Sequence, residues 1–476
     1  MVSEGIQTSQ TAPIEMTHDT SPSSAQPNVL QRLADALSDT MDSQAPYRIG
    51  GIISEVMPTH FRVEGMSRFL KIGDCVEIDA PYGEEIGEIV RVDARSASVK
   101  SLQQKISTRI GDAAWKRGPL TIRPAPSWKG RVVDALGCAI DNGPTLEQGP
   151  RSIPLDRAPP RPLHRQRIDS PLKTGIRVID LFTPLCAGQR IGIFSGSGVG
   201  KSSLLTMLAR STEFDTVVVA LVGERGREVR EFLETAVAKN RQNTVAVVST
   251  SDESSMKRRL APKTAMTIAE YFRDAGDNVL LIVDSITRFA HAARDVGLAS
   301  GEPPIARGYT PSVFSELPNL LERAGAGEEG SGSITGVFSV LVDGDDHNDP
   351  IADSIRGTID GHIVLERSIA QQGRFPAVDV LSSVSRLAEK AWTPEQRTLI
   401  PKLRGLIARF EETREIRAIA GHRKGEDAEL DQAVELVPRV LEALQQTPDD
   451  QASSDAFQEL ANALTPKRPE APPKAR

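Results

Sequence analysis

Ile191-Gly192-Ile193-Phe194-Ser195-Gly196-Ser197-Gly198-Val199-Gly200-Lys201-Ser202-Ser203 is the stretch on which the reading of this 476-residue chain turns. Ile191 to Phe194 is a short, continuous apolar run, the pattern of a strand buried on both faces of a parallel sheet. Its glycines let the backbone curl so that successive N–H groups point at phosphate oxygens, and the helical run from Ser203 to Arg210 adds a positive N-terminal end. In that setting Lys201 reaches β- and γ-phosphates and the Ser202 hydroxyl coordinates Mg²⁺. The nucleotide-binding set is therefore Ser195, Gly196, Ser197, Gly198, Val199, Gly200, Lys201, Ser202 and Ser203. Ser195 stands where the phosphate-loop pattern has its first Gly, and a small residue keeps the turn open to the chain. A Gly-rich turn with an incidental Lys is the competing reading, and the strand–loop–helix order argues against it.

Outward from this loop, apolar runs alternate with helical stretches from Trp128 to Val384: Val217–Val222, Val245–Val248, Val279–Val283, Ile334–Val342 and Ile363–Leu365. This is an α/β core, and such cores bind ligands at the carboxyl ends of their strands. Val217–Val222 ends in Gly223-Glu224-Arg225-Gly226-Arg227-Glu228. Removal of a γ-phosphoryl group by water needs a residue that orients and polarises the water, and Glu224 sits on the correct edge. Lys201, Glu224 and Arg225 make up the catalytic set on this side; the bland alternative is a solvated charge cluster at a helix start. Val279–Val283 runs into Asp284, which together with Ser202 is placed to hold the metal, or to cap the helix that follows. Asp343, Asp345, Asp346, Asp349 and Asp353 form an acidic run, but Asn348 and Ser354 occupy the places where a calcium loop needs Gly and Glu. His291, His347 and His362 make no metal-ligating pattern and read as packing or surface residues. Gly325 to Ser333 reads as a mobile loop.

Before the core, residues 47–125 show short apolar runs separated by turns: Ile49–Val56, Phe61–Val63, Val76–Ile78, Ile86–Val92 and Ala97–Leu102, a small β-barrel. After it, residues 391–464 are helical, with Leu399, Leu403, Leu406 and Phe410 in one stripe and Leu430, Val434, Val437, Leu441 and Leu444 in another, broken at Pro438. The fold class is multidomain: an N-terminal β-barrel, a central α/β P-loop domain over 126–390 with a mostly parallel sheet, and a C-terminal helical domain. Residues 1–46 form a polar arm in which Val29, Leu30, Leu33 and Leu37 recur at helical spacing, suiting either packing or a partner's groove. Residues 465–476 are a tail. A net charge of -7, from 57 Lys+Arg against 64 Asp+Glu, leaves no excess positive potential for a nucleic-acid coat. Cys75, Cys138 and Cys186 are widely spaced, which fits a reducing compartment, and no run of about 18 apolar residues suits a membrane span.

The phosphate loop, the Gly223-Glu224-Arg225 edge and Asp284-Ser285-Ile286-Thr287-Arg288 together resemble the rotary ATPase superfamily, with its RecA-like core. Pro304-Ile305-Ala306-Arg307-Gly308-Tyr309-Thr310-Pro311-Ser312-Val313-Phe314 and Gly344-Asp345-Asp346-His347-Asn348-Asp349-Pro350-Ile351-Ala352-Asp353 resemble its type III protein-export ATPases, among them the flagellar ones. The resemblance spans Tyr47 to Leu444. It implies a cytoplasmic homohexamer peripheral to the inner membrane at the export apparatus, with Mg²⁺ as cofactor and ATP as substrate at each subunit interface. By position it further implies that Arg386 is lent to the neighbour's nucleotide, with Arg367 as competitor, and that Phe375 stacks on adenine. The partners it implies are a negative regulator or stator-like protein at the N-terminal arm, stalk and export-gate components, and export substrates with their chaperones. The acidic motor segment of the ATP synthase has a faint counterpart at Gly425 to Asp431. An injectisome ATPase shares all these motifs. A hexameric RNA translocase would need aromatics on a basic barrel face; Tyr47, Phe61, Phe69 and Tyr82 are the barrel stretch's aromatics up to Leu102, and Tyr82 precedes Glu84, Glu85 and Glu88, so no nucleic acid is expected.

Overall fold

A computed structural model describes residues 48–80, 83–342 and 349–465 of the chain. The arm helix around Leu30, Leu33 and Leu37, the aromatics Tyr47 and Tyr82, the acidic residues Asp343, Asp345 and Asp346 with His347, and the tail from Pro466 lie outside these. Six strands, β1 (Gly50–Val56), β2 (Phe61–Glu64), β3 (Asp74–Ala80), β4 (Gly83–Val92), β5 (Ser96–Ser101) and β6 (Ala113–Pro119), close into a barrel in the order β1-β2-β5-β4-β3-β6. Alternation fills it: Phe61 and Val63 of β2 point inward with Ile53, Val76, Ile78, Ile89 and Val99, all fully buried. Phe61 is thus core, not a base-stacking platform. The sequence pattern misses β6, whose Lys116-Arg117-Gly118-Pro119 half hides its one fully buried side chain, Ala114. Its place is set by pairing with both β1 and β3, which removes the open edge.

The large sheet contains β7 (Val132–Asp134), β8 (Arg190–Ser195), β9 (Thr216–Val222), β10 (Thr244–Ser249), β11 (Asn278–Asp284), β12 (Ser333–Leu341), β13 (Gly361–Leu365) and β14 (Val378–Ser385), in the order β14-β13-β8-β12-β11-β9-β10-β7. All pair in parallel except β14, which runs antiparallel to β13. The outer strands β7 and β14 carry weaker apolar signals than the centre and were not legible as strands. Every residue of β9 is buried, because the sheet is covered on both sides. Val218, Ala220 and Val222 face a cluster with α3 (Ser255–Asp274), α4 (Ile286–Ala299) and α5 (Pro311–Arg323), whereas Val217, Val219 and Leu221 face α1 (Lys201–Ala209) and the C-terminal helices α7 (Pro394–Glu412) and α8 (Ala428–Ala443). Two further helices, α2 (Gly226–Phe232) and α6 (Pro350–Thr358), lie between these sets in the chain.

Three expectations change. Gly325 to Ser333 is an ordered hairpin: Gly325 and Ala326 pair with Ile334 and Ser333, and Gln166 Nε2 donates to the carbonyls of Glu328 and Ser331 at 2.8 and 3.0 Å. Its Gly/Ser composition serves a tight turn as well as a linker, and only the tertiary hydrogen bonds tell the two apart. Helix α8 runs unbroken through Pro438, which stands on the exposed side, where water can take the bond its missing N–H withholds. In α7 the buried face is Ile400, Leu403 and Ile407, one residue round from the expected stripe, and Leu399 is left 43% exposed. The barrel is tied to the helices by charge: Arg259 on α3 contacts Glu88 of β4 at 2.9 Å and Glu316 of α5 at 2.5 Å.

Candidate active site

The phosphate loop leaves β8 at Ser195, whose neighbours in the sheet are Leu341 and Leu365. Gly198 and Gly200 take φ of 76° and 98°, the left-handed region that a side chain disfavours, so both glycines are demanded by the curl itself. No side chain caps α1, which begins at Lys201, and its first N–H groups are left for a ligand. They open on a cleft of about 730 Å³ lined by Gly196, Ser197, Gly198, Gly200, Lys201 and Ser202, with Glu224 and Asp284 opposite. That volume is of the size of a nucleotide pocket. The side chains of Ser195 and Val199, by contrast, are buried beneath the loop, at 2% and 1% exposure. Ser195 is the last strand residue, which is why a serine stands there without harm to the turn.

The charged groups converge. Lys201 Nζ lies 2.5 Å from Asp284 Oδ1 and 3.9 Å from Glu224 Oε1. Ser339, in the middle of β12, donates its hydroxyl to the same Asp284 oxygen at 2.6 Å. No motif flags Ser339; it is found only because β12 lies beside both β8 and β11. Ser285 caps α4 by accepting the Arg288 N–H, so Asp284 is not spent on capping. Arg288 Nε approaches Glu224 at 3.8 Å. Arg225 is exposed at the rim of the same cleft and pairs with Glu228 at 3.7 Å.

Burial, and then the Asp284 carboxylate nearby, push the Glu224 carboxyl up to about 7, against the opposing pull of Lys201 and Arg288. A carboxyl raised on folding contributes stability that is complete below its ordinary range and is lost as pH rises through about 7. Glu224→Gln should therefore raise Tm at pH 8 by about 1 °C or more, and by less at pH 5.5, a small effect because the cleft is open to solvent. Thermal scans at the two pH values check this.

The oxygen donors suit a hard cation. The Ser202 hydroxyl is exposed in the cleft and the Asp284 carboxylate closes its floor. Among the described residues no group of three His, Cys, Asp or Glu could cage a metal alone. One hydroxyl and one carboxylate match Mg²⁺, which keeps waters and takes its remaining ligands from substrate phosphates.

Phe375, 41% exposed, lays its ring over the loop: a Cβ added to Gly200 would lie 3.4 Å from Phe375 Cδ1. The two competing arginines separate cleanly. Arg367 Nη2 donates to the Ser197 carbonyl at 3.3 Å, so it belongs to its own phosphate loop. Because β14 runs antiparallel, Val378 pairs with Leu365 at the loop end of the sheet and Ser385 pairs with Gly361 at the far end. Arg386 follows Ser385, exposed and remote from its own cleft.

Two of the remaining acidic residues have local duties. Asp349 accepts the N–H groups of Ile351 and Ala352 as cap of α6, and Asp427 caps α8 while pairing with Arg409 at 2.8 Å. His291 stacks on Tyr309, and His362 sits edge-on to Phe194.

The family described as "ATP synthase alpha/beta family, nucleotide-binding domain" matches residues 175–385, and "T3SS EscN ATPase C-terminal domain" matches residues 392–462. The chain is 53% identical to the flagellum-specific ATP synthase of Agrobacterium fabrum, over 91% of this chain and 92% of that one. To the type 3 secretion system ATPase of Xanthomonas euvesicatoria it is 43% identical, over 87% and 94%. Among solved structures, the assembled ATPase EscN in complex with its central stalk EscO, from the enteropathogenic E. coli type III secretion system, superposes with a TM-score of 0.80 at 38% identity, covering 87% of this chain and 100% of that one.

Proposed function

This chain belongs to the flagellum-specific and type III secretion ATPases of the ATP synthase alpha/beta family, and we propose that it hydrolyses ATP to energise export of flagellar proteins. The family makes it an ATP-hydrolysing P-loop enzyme. One observation carries the site assignment: Lys201, at the mouth of an uncapped helix, stands between two carboxylates of opposite duty. Bound phosphates would draw Lys201 off Asp284 and engage the free N–H groups of α1. Asp284 and Ser202 would hold Mg²⁺, which supplies charge neutralisation at the β- and γ-phosphates. Glu224, once ionised, orients a water on the γ-phosphorus and takes up its proton. Phe375 offers a ring face to the base. Arg386 reaches no atom of this cleft, and its place is explained by a ring in which it serves the neighbour. We assign that ring six copies, a central stalk partner, and a cytoplasmic location peripheral to the membrane.

The flagellar reading rests on 53% identity to a flagellum-specific relative against 43% to a secretion-system one. Deleting the gene should abolish flagellar filaments; a deletion strain that stays flagellated and motile but loses needle secretion would transfer the chain to the injectisome. Lys201→Ala is expected to lower turnover by about a hundredfold or more, since a charge-assisted phosphate contact is lost. Normal turnover in that folded variant would remove the P-loop from the mechanism.

A further inference from the structure

Strand β8 ends in the phosphate loop and also grips, along its length, the residues that hold Arg386. At its start, Arg190 Nε and Nη2 donate to the two Asp360 carboxylate oxygens, both at 3.1 Å, and the Asp360 carbonyl accepts the Arg386 N–H at 2.9 Å. Near its end, the fully buried Phe194 carries the Arg356 guanidinium over its ring at 4.5 Å, and the Arg356 carbonyl accepts from Arg386 Nη2 at 3.2 Å. Just before the strand, the buried Gln189 donates to Ser385 Oγ at 3.0 Å, one residue from Arg386. Neither Arg356 nor Asp360 lines the cleft of its own chain. An exposed arginine gains little from being held, because fixing it costs rotamer entropy. A mount of this stiffness makes sense where the side chain must meet something outside its own subunit.

We propose that Arg356 and Asp360 are positioning residues that lock Arg386 to the P-loop strand, so that the arginine presented to a neighbouring copy moves with the strand holding the chain's own nucleotide. The proposal rests on Arg386 serving the neighbour. Its physical content is a continuous packed path: phosphate loop, β8, the Phe194–Arg356 and Arg190–Asp360 contacts, and Arg386. A shift of β8 on nucleotide binding or phosphate loss is thereby passed to the next site without contact between the two nucleotides.

The test uses the assembled full-length protein. Arg356→Ala is expected to lower kcat between about tenfold and a hundredfold through misplacement of Arg386, with nucleotide affinity within about twofold of wild type. The Hill coefficient for ATP should fall toward one. Arg356→Lys keeps a cation over the Phe194 ring and should retain most of the turnover. The decisive measurement is mixing. Arg356→Ala combined with Lys201→Ala should regain turnover, because Lys201→Ala subunits present a correctly mounted Arg386 to intact loops; Arg386→Ala with Lys201→Ala is the reference pair. Wild-type kcat and cooperativity in Arg356→Ala would overturn the proposal. So would failure of the Arg356→Ala mixture where the reference pair recovers, since the defect would then lie in the variant's own cleft. If the reference pair itself stays dead, the reading of Arg386 falls first and the proposal with it. Should Arg356→Ala not assemble, Asp360→Asn, which keeps the carbonyl and the size but weakens the Arg190 contact, is put through the same mixtures and must give the same recovery.

Discussion

Arg386→Ala should reduce ATP turnover by roughly 10³ to 10⁵, the range of an arginine that stabilises charge on a transferring phosphoryl group. The expectation follows from where the chain puts this residue. It sits at the far end of the antiparallel β13–β14 pair, exposed, with its guanidinium on the Arg356 carbonyl and nothing of its own cleft in reach. Nucleotide affinity should survive, because the phosphate loop, Lys201 and Phe375 all belong to the other end of the sheet. Turnover should also rise more steeply than in proportion to protein concentration, since an isolated subunit has no neighbour to supply Arg386 to its cleft. Mixing Arg386→Ala with Lys201→Ala restores interfaces in which an intact loop meets an intact arginine, so some activity should return. Normal hydrolysis by Arg386→Ala would remove it from the reaction, and Arg367, on the Ser197 carbonyl, would be the arginine to examine.

Glu224→Gln is the second large effect: a loss of about 10² to 10⁴ in kcat with ATP binding preserved. Glutamine keeps the shape and removes only the capacity to accept a proton from water. The wild-type pH profile supplies an independent check. A carboxyl held near 7 in the free enzyme is protonated and idle below that value, so kcat/KM should climb as pH rises through about 7 and level off above it. Glu224→Gln should lose that limb. Loss of nucleotide affinity along with turnover would show that Glu224 supports the cleft rather than the chemistry.

The phosphate loop was legible because its signal is local: the glycines, Lys201 and Ser202 lie within a few residues of one another, and the curl needs no distant partner. Asp284 and Glu224 were legible for a related reason. Each ends an apolar run, and in a parallel sheet all such ends lie along one edge. Ser339 gave no such signal. It sits within an apolar strand, and its bond to Asp284 exists only because β12 threads between β8 and β11.

By itself, then, the order of residues determined the α/β core, the barrel before it and the helices after it, because periodicity and turn chemistry act over a few residues. It also pointed to Lys201, Glu224 and Asp284, which the fold brings together, but not to Arg288 beside Glu224. The tertiary structure alone decided which of the two arginines lies at the chain's own phosphate loop. Arg367 and Arg386 are 19 positions apart with similar credentials in sequence, and the antiparallel reversal at β14 sends one to its own loop and the other to the opposite edge. It decided likewise that β6 closes the barrel, that Gly325 to Ser333 is a pinned hairpin, and that Pro438 rides on an unbroken helix. For the barrel and the hairpin the deciding energy is a contact between residues far apart in the chain, which no local pattern encodes, whereas Pro438 is tolerated because the fold turns it to the exposed side.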